Sequence, residues 1–319
     1  MIDAAGPRAA APAQPAPRIR GGKRVAAVVT SLVAGALLPA PSASAAPVDT
    51  FGQVVRVVDG DTVIARIAGK QHRIRITGLN AMELTDYRPG HRDGECHARQ
   101  ATRRLESLVL DKRVRVTARE EDSHSGKRKR LRRSLAVQDA GGTWVDPAGV
   151  LIREGLALWM PNEVEHLPNS TYPVLAAQAA ADGKGLWNTD ACGVGPSRNA
   201  SLRVTVQWQG AETASVHNTG AKPVSLAGWW LRDSSYHGKR GRGYTFPAAT
   251  VVPAGGAVVL HTGKGSDTGG HYYWNLKNPV FDDVTGAPTL MADGAYLFDV
   301  DGDLRAAQQY APHAPIQFP

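Results

Sequence analysis

Apolar and polar residues alternate over short segments in the part of the chain that follows residue 50. This two-residue period is typical of half-buried β-strands, because successive side chains of a strand point to opposite faces. The predicted strands are Gln53–Val58, Thr62–Ile67, Arg73–Leu79 and Arg113–Thr117. Apolar residues recur at three- and four-residue intervals in Glu95–Leu110, which predicts an amphipathic helix. Further helices are predicted at Asp146–Leu156 and Val174–Gly183, so this part of the chain is expected to be a small α+β domain.

The helical period ends after residue 200. Short strands are predicted between turns rich in Gly, Pro and Asn, at Arg203–Trp208, Thr213–Asn218, Val224–Leu226, Ala257–His261 and Ala295–Asp299. Many short strands of this kind indicate an all-β sandwich. Trp229 and Trp230 alternate across a strand, and at least one of them is expected in its core. The Gly/Pro/Ser-rich stretch Gly193–Asn199 reads as a linker between the two halves.

The first 45 residues have the layout of a secretory signal. Four basic residues between Arg18 and Arg24 precede an apolar run of 14 residues, Val25–Leu38, and Ala43–Ala45 offers a small-x-small cleavage pattern. A membrane anchor is the alternative, although the run is short for a bilayer span. We therefore expect a secreted protein whose mature chain begins near Ala46.

Composition places the chain among ordinary globular proteins and excludes a wholly disordered or collagen-like one. The chain has 37 Lys and Arg against 29 Asp and Glu, a net charge of +8, which favours a polyanionic partner. Half of that charge lies in residues 1–45. Within the rest, six of the seven residues Lys127–Arg133 are basic. We expect this loop to contact nucleic acid, the alternative being a solvated charged loop.

Cysteine usage adds one constraint. Two cysteines are too few for a disulfide-stapled scaffold. In a secreted chain Cys96 and Cys192 most simply form one disulfide, which would tie the end of the first domain to its first helix. A reactive thiol is the alternative, and His91 and His97 near Cys96 are weak evidence for zinc.

Candidate chemistry is concentrated between Val58 and Glu83. Asp59–Thr62 puts two carboxylates around a glycine turn at the mouth of a strand, and Arg73 and Arg75 project to one face of the next strand. Asn80 and Glu83 follow just beyond that strand. Carboxylate and amide oxygens suit Ca²⁺, arginine grips a phosphate, and glutamate can deprotonate a water. Each feature also has a simple structural explanation, as a hairpin turn, an edge arginine or a helix cap, but together they indicate metal-assisted phosphodiester hydrolysis.

The order Asp-Gly-Asp-Thr, then Arg-Ile-x-Gly-Leu-Asn-Ala-x-Glu, resembles the thermonuclease (staphylococcal nuclease-like) family, and the resemblance continues to Trp187. It implies an OB-fold, a five-stranded barrel with helices, that hydrolyses DNA and RNA with Ca²⁺ and leaves 3′-phosphate ends. By position, Asp61, Asn80 and the Ala81 carbonyl would bind the metal. Glu83 would act as general base, and Arg75 and Arg133 would bind the scissile phosphate.

Three departures from the family pattern bear on those roles. Asn80 stands where many relatives have aspartate, which keeps an oxygen ligand but removes a charge. Met82 replaces the usual proline before the glutamate. The basic loop before Arg133 is also longer than the corresponding loop of the family, which leaves Arg130 and Arg132 as alternatives for the second arginine. The expected nucleic-acid contacts are the loop residues Lys127, Arg128, Lys129 and Arg130.

Residues 203–313 resemble the lamin-tail domain, an immunoglobulin-like β-sandwich. The residues that carry this resemblance include Val216–Gly220, Pro223–Asp233, Tyr244–Pro247 and His261–Thr268. It implies an accessory binding or tethering role with no chemistry of its own. The expected organisation is a signal segment at 1–45, a nuclease-like domain at 46–192, a linker at 193–202 and a sandwich at 203–319.

The sequence therefore predicts a secreted, monomeric, Ca²⁺-dependent nuclease that acts on DNA and RNA. The sandwich is expected to bind an envelope or nucleic-acid partner. Retention of Arg75 and Glu83 favours turnover. A domain that has lost turnover and only binds extracellular nucleic acid is one alternative, and a surface adhesin led by the second half is another.

Overall fold

The computed structural model describes residues 48–84, 95–119, 124–125, 130–160, 171–188, 191–192, 201–208, 210–234, 243–278, 280–281, 293–311 and 314–317. The expected signal segment and most of the expected linker lie outside these ranges. Ala45–Pro319 forms one compact unit. No helix within the described ranges is long and apolar enough to cross a membrane.

The first half is a closed barrel of five strands. Its described strands are β1 (Val48–Asp59), β2 (Thr62–Ile67), β3 (Lys70–Ile76), β4 (Leu79–Ala81), β5 (Arg113–Ala118), β6 (His124–Ser125), β7 (Arg130–Gln138), β8 (Trp144–Val145) and β9 (Ala157–Trp159). The barrel order is β3-β2-β1-β5-β7, and a parallel pairing of β3 with β7 closes it. This is an OB-like barrel, with core residues such as Val54, Val63, Ile74, Val114 and Leu135 pointing inward.

Helices are few in the described part of this half, so the α+β expectation is met only in part. They are α1 (Ala98–Val109), α2 (Pro147–Arg153) and α3 (Tyr172–Ala181), followed by a 3-10 turn at Gly185–Trp187. The helix α1 buries Ala98, Ala101, Leu105 and Val109, the apolar stripe that the sequence pattern predicts. Asp146 caps α2 by accepting a hydrogen bond from the Ala148 amide at 3.0 Å, and Pro147 occupies the first helical position.

The strand expected at Arg73–Leu79 is interrupted. Gly78 has a φ of 83°, a left-handed conformation that glycine adopts without a steric penalty. The chain therefore turns after Ile76, and β4 leaves the barrel to pair with β9, with Asn80 opposite Leu158. This break matters for the site, because it carries Asn80 and Ala81 back over the β1–β2 turn.

The second half is β-rich and immunoglobulin-like. Its strands are β10 (Leu202–Gln207), β11 (Thr213–Asn218), β12 (Val224–Ser225), β13 (Trp230–Arg232), β14 (Tyr244–Thr245), β15 (Val251–Val252), β16 (Ala257–His261), β17 (His271–Tyr273), β18 (Asp293–Phe298), β19 (Leu304–Ala311) and β20 (Ala314–Gln317). One sheet has the order β10-β11-β16-β17 and the other β14-β13-β18-β19-β20, with β12 and β15 paired separately. Trp229 and Trp230 are both buried, which confirms the expectation of at least one core tryptophan.

The two halves touch at several places. The predicted disulfide is present within the barrel half, with 5.9 Å between the Cα atoms of Cys96 and Cys192, and it brings the end of that half close to the second one. The Cys192 amide donates to the Asp303 carboxylate at 2.8 Å, and the rings of Trp187 and Tyr296 lie 6.4 Å apart. The second half is therefore packed against the barrel half.

Candidate active site

The β1–β2 turn holds Asp61 in a tightly packed position. The Asp59 carboxylate accepts a hydrogen bond from the Asp61 amide at 3.1 Å, which fixes the turn. A Cβ at residue 60 would lie 2.6 Å from the Ala81 Cβ and 2.8 Å from the Ala101 Cβ, so only glycine fits between them. The Asp-Gly-Asp sequence thus does more than form a hairpin, because it places one carboxylate beneath β4 and α1.

Both oxygens of the Asp61 carboxylate have protein partners. One accepts a hydrogen bond from the Thr62 hydroxyl at 2.9 Å and forms an ion pair with the Arg75 guanidinium. The other accepts from the Ala81 amide at 3.1 Å. Asp61 is only 2% exposed, so a charge at this depth depends on these partners.

Asn80 lies on the other side of the same guanidinium. Arg75 Nη2 donates to Asn80 Oδ1 at 2.6 Å and to the Leu79 carbonyl at 3.4 Å. The Asn80 amide nitrogen donates to the Ser234 carbonyl at 2.7 Å, so its orientation is set by a residue of the second half. The side-chain oxygens of Asp61 and Asn80 therefore converge on one positive group.

Glu83 lies close to these residues, and hydrogen bonds of its main-chain groups to Glu95 hold it there. Its amide donates to the Glu95 carboxylate at 2.8 Å, and the Glu95 amide donates to the Glu83 carbonyl at 2.8 Å. Burial and the negative charge of Asp59 raise the pKa of the Glu83 carboxyl, while Arg75 and Arg232 oppose that rise. A carboxyl with a raised pKa is better suited to accept a proton at neutral pH.

The register of β3 against β7 orders the candidates for the second arginine. Arg75 lies opposite Arg132, and Ile76 opposite Arg133. Arg132 is therefore on the face of Arg75, whereas Arg133 alternates with the core residues of β7 and is 7% exposed, donating to the Arg132 carbonyl at 2.7 Å. Arg130 reaches the site edge, since its guanidinium donates to the Thr62 hydroxyl at 3.3 Å.

The structure thus brings Asp61, Arg75, Asn80 and Ala81 into direct contact, with Glu83 beside them. It places Arg130 and Arg132 on the outer face with Arg75, and Arg133 on the opposite one. The expected contacts Lys127, Arg128 and Lys129 lie outside the described residues.

The oxygen atoms of the site include the types that bind a hard cation. Asp61 supplies a carboxylate and Asn80 an amide oxygen, the oxygen types that Ca²⁺ prefers. Both are close enough to share the Arg75 guanidinium, which is itself a cation. The oxygen types of the pair fit such an ion, which would have to share these oxygens with Arg75.

The sequence patterns do not predict two residues that lie beside the candidate site, Arg232 and Ser234. Arg232 is fully buried, donates to the carbonyls of Asp233 at 2.9 Å and Ser234 at 3.0 Å, and has its guanidinium 3.9 Å from the Met82 sulfur. The one sequence signal for Ser234 is the amide at position 80. A carboxylate there would face the Ser234 carbonyl, whereas an amide can donate to it.

Another group of ligand-type side chains comprises Cys96, His97 and Cys192, whose ligand atoms lie within 4.8 Å of one another. Both cysteines are joined in the disulfide, so neither offers a thiolate. Burial lowers the pKa of His97, which lies at the start of α1. The disulfide in this group ties the end of the barrel half to the start of α1, as the sequence predicts.

Comparison with known proteins gives two findings. Residues 190–312 match the family model of the lamin tail domain. An uncharacterized endonuclease of Escherichia coli O157:H7 is 30% identical over 140 residues, which cover 44% of this chain and 78% of that protein. A protein of the same description from Escherichia coli matches equally.

Proposed function

Because the chain belongs to the same family as the Escherichia coli proteins described as uncharacterized endonucleases, we propose that its barrel half is a nuclease that hydrolyses phosphodiester bonds of DNA and RNA. The observation that carries the proposal is the convergence of Asp61 and Asn80 on Arg75, with Glu83 beside them. A carboxylate, an amide oxygen, an arginine and a glutamate with a raised pKa are the groups that such a hydrolysis needs.

Each residue has a role in the proposed reaction. Glu83 accepts a proton from the attacking water, or orients that water, for in-line attack on phosphorus. Arg75 neutralises negative charge on the phosphate oxygens as it grows in the transition state. A second arginine assists from β7, and the register favours Arg132 or Arg130 over Arg133 because they share the face of Arg75.

Ca²⁺ is the proposed cofactor, held by Asp61, Asn80 and the Ala81 carbonyl. When bound it supplies positive charge that polarises the phosphate. Asp61 and Asn80 now contact Arg75, so the same oxygens would be shared between the guanidinium and the ion, and Arg75 would be available to the substrate phosphate. In the proposed reaction the bond between phosphorus and the 5′ oxygen breaks as water attacks, so the products carry a 3′-phosphate and a 5′-hydroxyl end.

The proposed location and partners of the protein rest mainly on its sequence. We place the protein outside the cell on the strength of residues 1–45, as a monomer. The second half holds Asn80 through Ser234 and presents the rest of its surface to an envelope or nucleic-acid partner.

The proposal is tested by digesting single-stranded DNA with Ca²⁺ and with EDTA, and by identifying the product ends. The parent is expected to cleave only with Ca²⁺, and a Glu83→Gln variant to lose about 100-fold or more in kcat, since general base catalysis contributes that much. Cleavage that is equal or absent in both buffers contradicts the proposal. Full activity of Glu83→Gln contradicts the role of Glu83.

A second candidate, a nucleic-acid-binding protein without turnover, has one observation in its favour. Asp61 and Asn80 are each only 2% exposed, and their oxygens already have protein partners. Tight, salt-dependent binding of single-stranded DNA without cleavage in Ca²⁺ would establish this alternative.

A further inference from the structure

An aromatic and arginine cluster lies on the outer face of the barrel, away from the site just described. It comprises Phe51 on β1, Arg113 and Arg115 on β5, and Trp144 on β8. Phe51 lies opposite Arg115 in the β1–β5 register, and Trp144 opposite Gln138 in the β7–β8 register. These outward positions alternate with core residues such as Val114 and Val116, so the cluster plays no part in the barrel core.

The four side chains form an interleaved stack. The rings of Phe51 and Trp144 are 6.2 Å apart and tilted by 41°. The Arg113 guanidinium carbon lies 4.4 Å from the Phe51 ring centre, and that of Arg115 lies 5.0 Å from the Trp144 ring centre. Cation–π contacts of this kind hold the rings in place while the arginines keep charge at the surface.

The stack borders a cavity of about 670 Å³. Arg115 and Trp144 line it on the barrel side, and Arg153 and Leu175 line it on the side of α2 and α3. Phe51 is 46% exposed beside it, which is unusual for so large an apolar side chain in a position that packs against no core. A ligand with flat apolar faces would bury the ring area that is now open to solvent.

The electrostatics of the cavity favour an anion. Arg115 Nε has no hydrogen-bond partner among the described residues, and its nearest carboxylate oxygen, on Asp49, is 3.9 Å away. Asp49 thus forms a long ion pair with Arg115 through one carboxylate oxygen, while its other oxygen accepts a hydrogen bond from the Thr117 hydroxyl at 2.5 Å. Asp146, the other acid in the lining, is a buried helix cap whose pKa is raised by burial. The lining therefore holds two arginines, Arg115 and Arg153, against one exposed carboxylate, and Arg113 lies beside it over the Phe51 ring.

The cluster is connected to the candidate active site by one strand. The outward side chains of β7 run from Arg130 and Arg132, near Thr62 and Arg75, to Ser134 and Ala136, which line the cavity. From Arg132 to Ala136 the strand rises about 13 Å at ~3.3 Å per residue. That distance corresponds to a few nucleotides, since phosphates within a duplex strand rise ~3.4 Å each and those of an extended single strand lie farther apart.

We propose that this face, Phe51, Arg113, Arg115, Trp144 and Arg153, is a second binding surface for single-stranded nucleic acid, on which bases stack on Phe51 and Trp144 while the arginines contact the phosphates. Alternating rings and cations are what an extended single strand requires, because every base has a flat face and every nucleotide a charge. A duplex keeps its bases stacked on each other and cannot use the rings. The inference extends the proposed nuclease function by naming where the substrate is held beyond the scissile bond.

Binding in EDTA tests the surface separately from cleavage. Fluorescence anisotropy would measure the Kd of a labelled 12-nucleotide single strand for the parent, Phe51→Ala and Trp144→Ala. Each variant is expected to bind about 5-fold to 100-fold more weakly, the usual effect of losing one stacking platform. Phe51→Tyr keeps the ring and is expected to bind as the parent does, and thermal melting of each variant checks that the fold is retained.

A charge variant provides the second arm. Arg113→Gln/Arg115→Gln is expected to reduce the slope of log Kd against log salt by about 1.4, from ~0.7 per phosphate contact on a single strand. The matched control Arg103→Gln/Lys184→Gln removes the same charge from exposed positions of the barrel half outside this cluster and is expected to leave both Kd and slope unchanged.

The outcomes are decisive in either direction. Equal Kd values for the parent and the two ring variants overturn the proposal, as does an equal loss on a duplex of the same length, which would leave only phosphate contacts. A chain that cleaves DNA but binds equally in all variants refutes this surface and leaves the nuclease intact. Ring-dependent binding without cleavage refutes the nuclease and leaves this surface intact.

Discussion

At the residue scale, Asn80 joins the chemistry of the site to the second half of the molecule. Its side-chain oxygen accepts from Arg75 and its nitrogen donates to Ser234, so both ends of the amide are used. An aspartate would keep the first contact and place a carboxylate oxygen against a carbonyl at the second. An amide at position 80 is thus explained by a neighbour that is 154 residues away.

An Asn80→Asp variant is therefore expected to be less stable by about 1–3 kcal/mol, the cost of an unpaired buried acceptor. The added charge is expected to tighten Ca²⁺ binding. Urea denaturation measures the first effect and calorimetric Ca²⁺ titration the second.

The matched control for this prediction is Asn218→Asp. Asn218 is also a buried amide, and it donates to the carbonyls of Lys222 and Val252. This variant is expected to lose stability in the same way without any change in Ca²⁺ affinity. Equal stability of parent and Asn80→Asp would show that the Ser234 contact carries no weight.

The sequence alone predicts the part of the candidate site that comes from neighbouring strands. Spacing along the chain groups Asp61 and Arg75 with Asn80 and Glu83, because local geometry decides which of these side chains meet. Arg232 and Ser234 were not found, since no periodicity links them to Asn80. The choice among Arg130, Arg132 and Arg133 likewise needed the β3–β7 register, which follows from barrel closure and not from local pattern.

At the element scale, most strands and helices coincide with the predicted ones. Thr62–Ile67, Thr213–Asn218 and Ala257–His261 have the predicted bounds, because alternation and flanking turns both mark their ends. The exception at Gly78 shows the limit of the pattern. The apolar residues Ile76 and Leu79 continue the alternation across a turn that only the backbone conformation of Gly78 reveals.

The N-terminus of α2 predicts a pH effect. The Asp146 carboxylate accepts from the Ala148 amide and from the Tyr172 hydroxyl at 2.6 Å, yet burial raises its pKa above the ordinary value. A carboxyl with a higher pKa in the folded state than in the unfolded one loses stabilisation as pH rises through the folded value. Asp146→Asn keeps the cap without a charge.

The stability of Asp146→Asn relative to the parent is therefore expected to increase as pH rises from about 4 towards 7. Urea denaturation across this range measures it. The hydrogen bond from Tyr172 lowers the pKa of Asp146, so Tyr172→Phe is expected to raise that pKa further. A pH-independent difference between parent and Asp146→Asn would contradict the assigned cause.

The disulfide predicts a redox effect on the same scale. Cys96 and Cys192 are separated by 96 residues, and closing so long a loop restricts the unfolded chain strongly. Cys96→Ser/Cys192→Ser is expected to be less stable by about 2–5 kcal/mol. Differential scanning calorimetry with and without dithiothreitol measures this. A parent whose melting temperature ignores the reductant would contradict the prediction.

At the scale of the whole molecule, the barrel and the second half are expected to unfold together. Contacts at Asn80–Ser234, Cys192–Asp303 and Trp187–Tyr296 connect them at three separate places. A variant in either half should therefore shift one shared transition. Calorimetry of the oxidised chain is expected to give a single endotherm, and two resolved endotherms would contradict this coupling.

Charge is also informative at this scale through its position. Half of the net +8 belongs to residues 1–45, so the total says little about the folded part. The outer face of the barrel carries Arg75, Arg130 and Arg132 near the candidate site, and Arg113 and Arg115 at the Phe51 and Trp144 stack. A polyanionic substrate is favoured by that placement.

The most direct test of the nuclease account is the Ca²⁺ dependence of DNA cleavage in the parent and in Asp61→Asn. This change keeps the shape of the side chain and removes the charge that pairs with Arg75 and that is proposed to bind the metal. We expect the parent to be activated by Ca²⁺ and silenced by EDTA, and Asp61→Asn to lose most cleavage at the same Ca²⁺ concentration while remaining folded. A folded Asp61→Asn variant that cleaves like the parent, with or without Ca²⁺, would contradict the account.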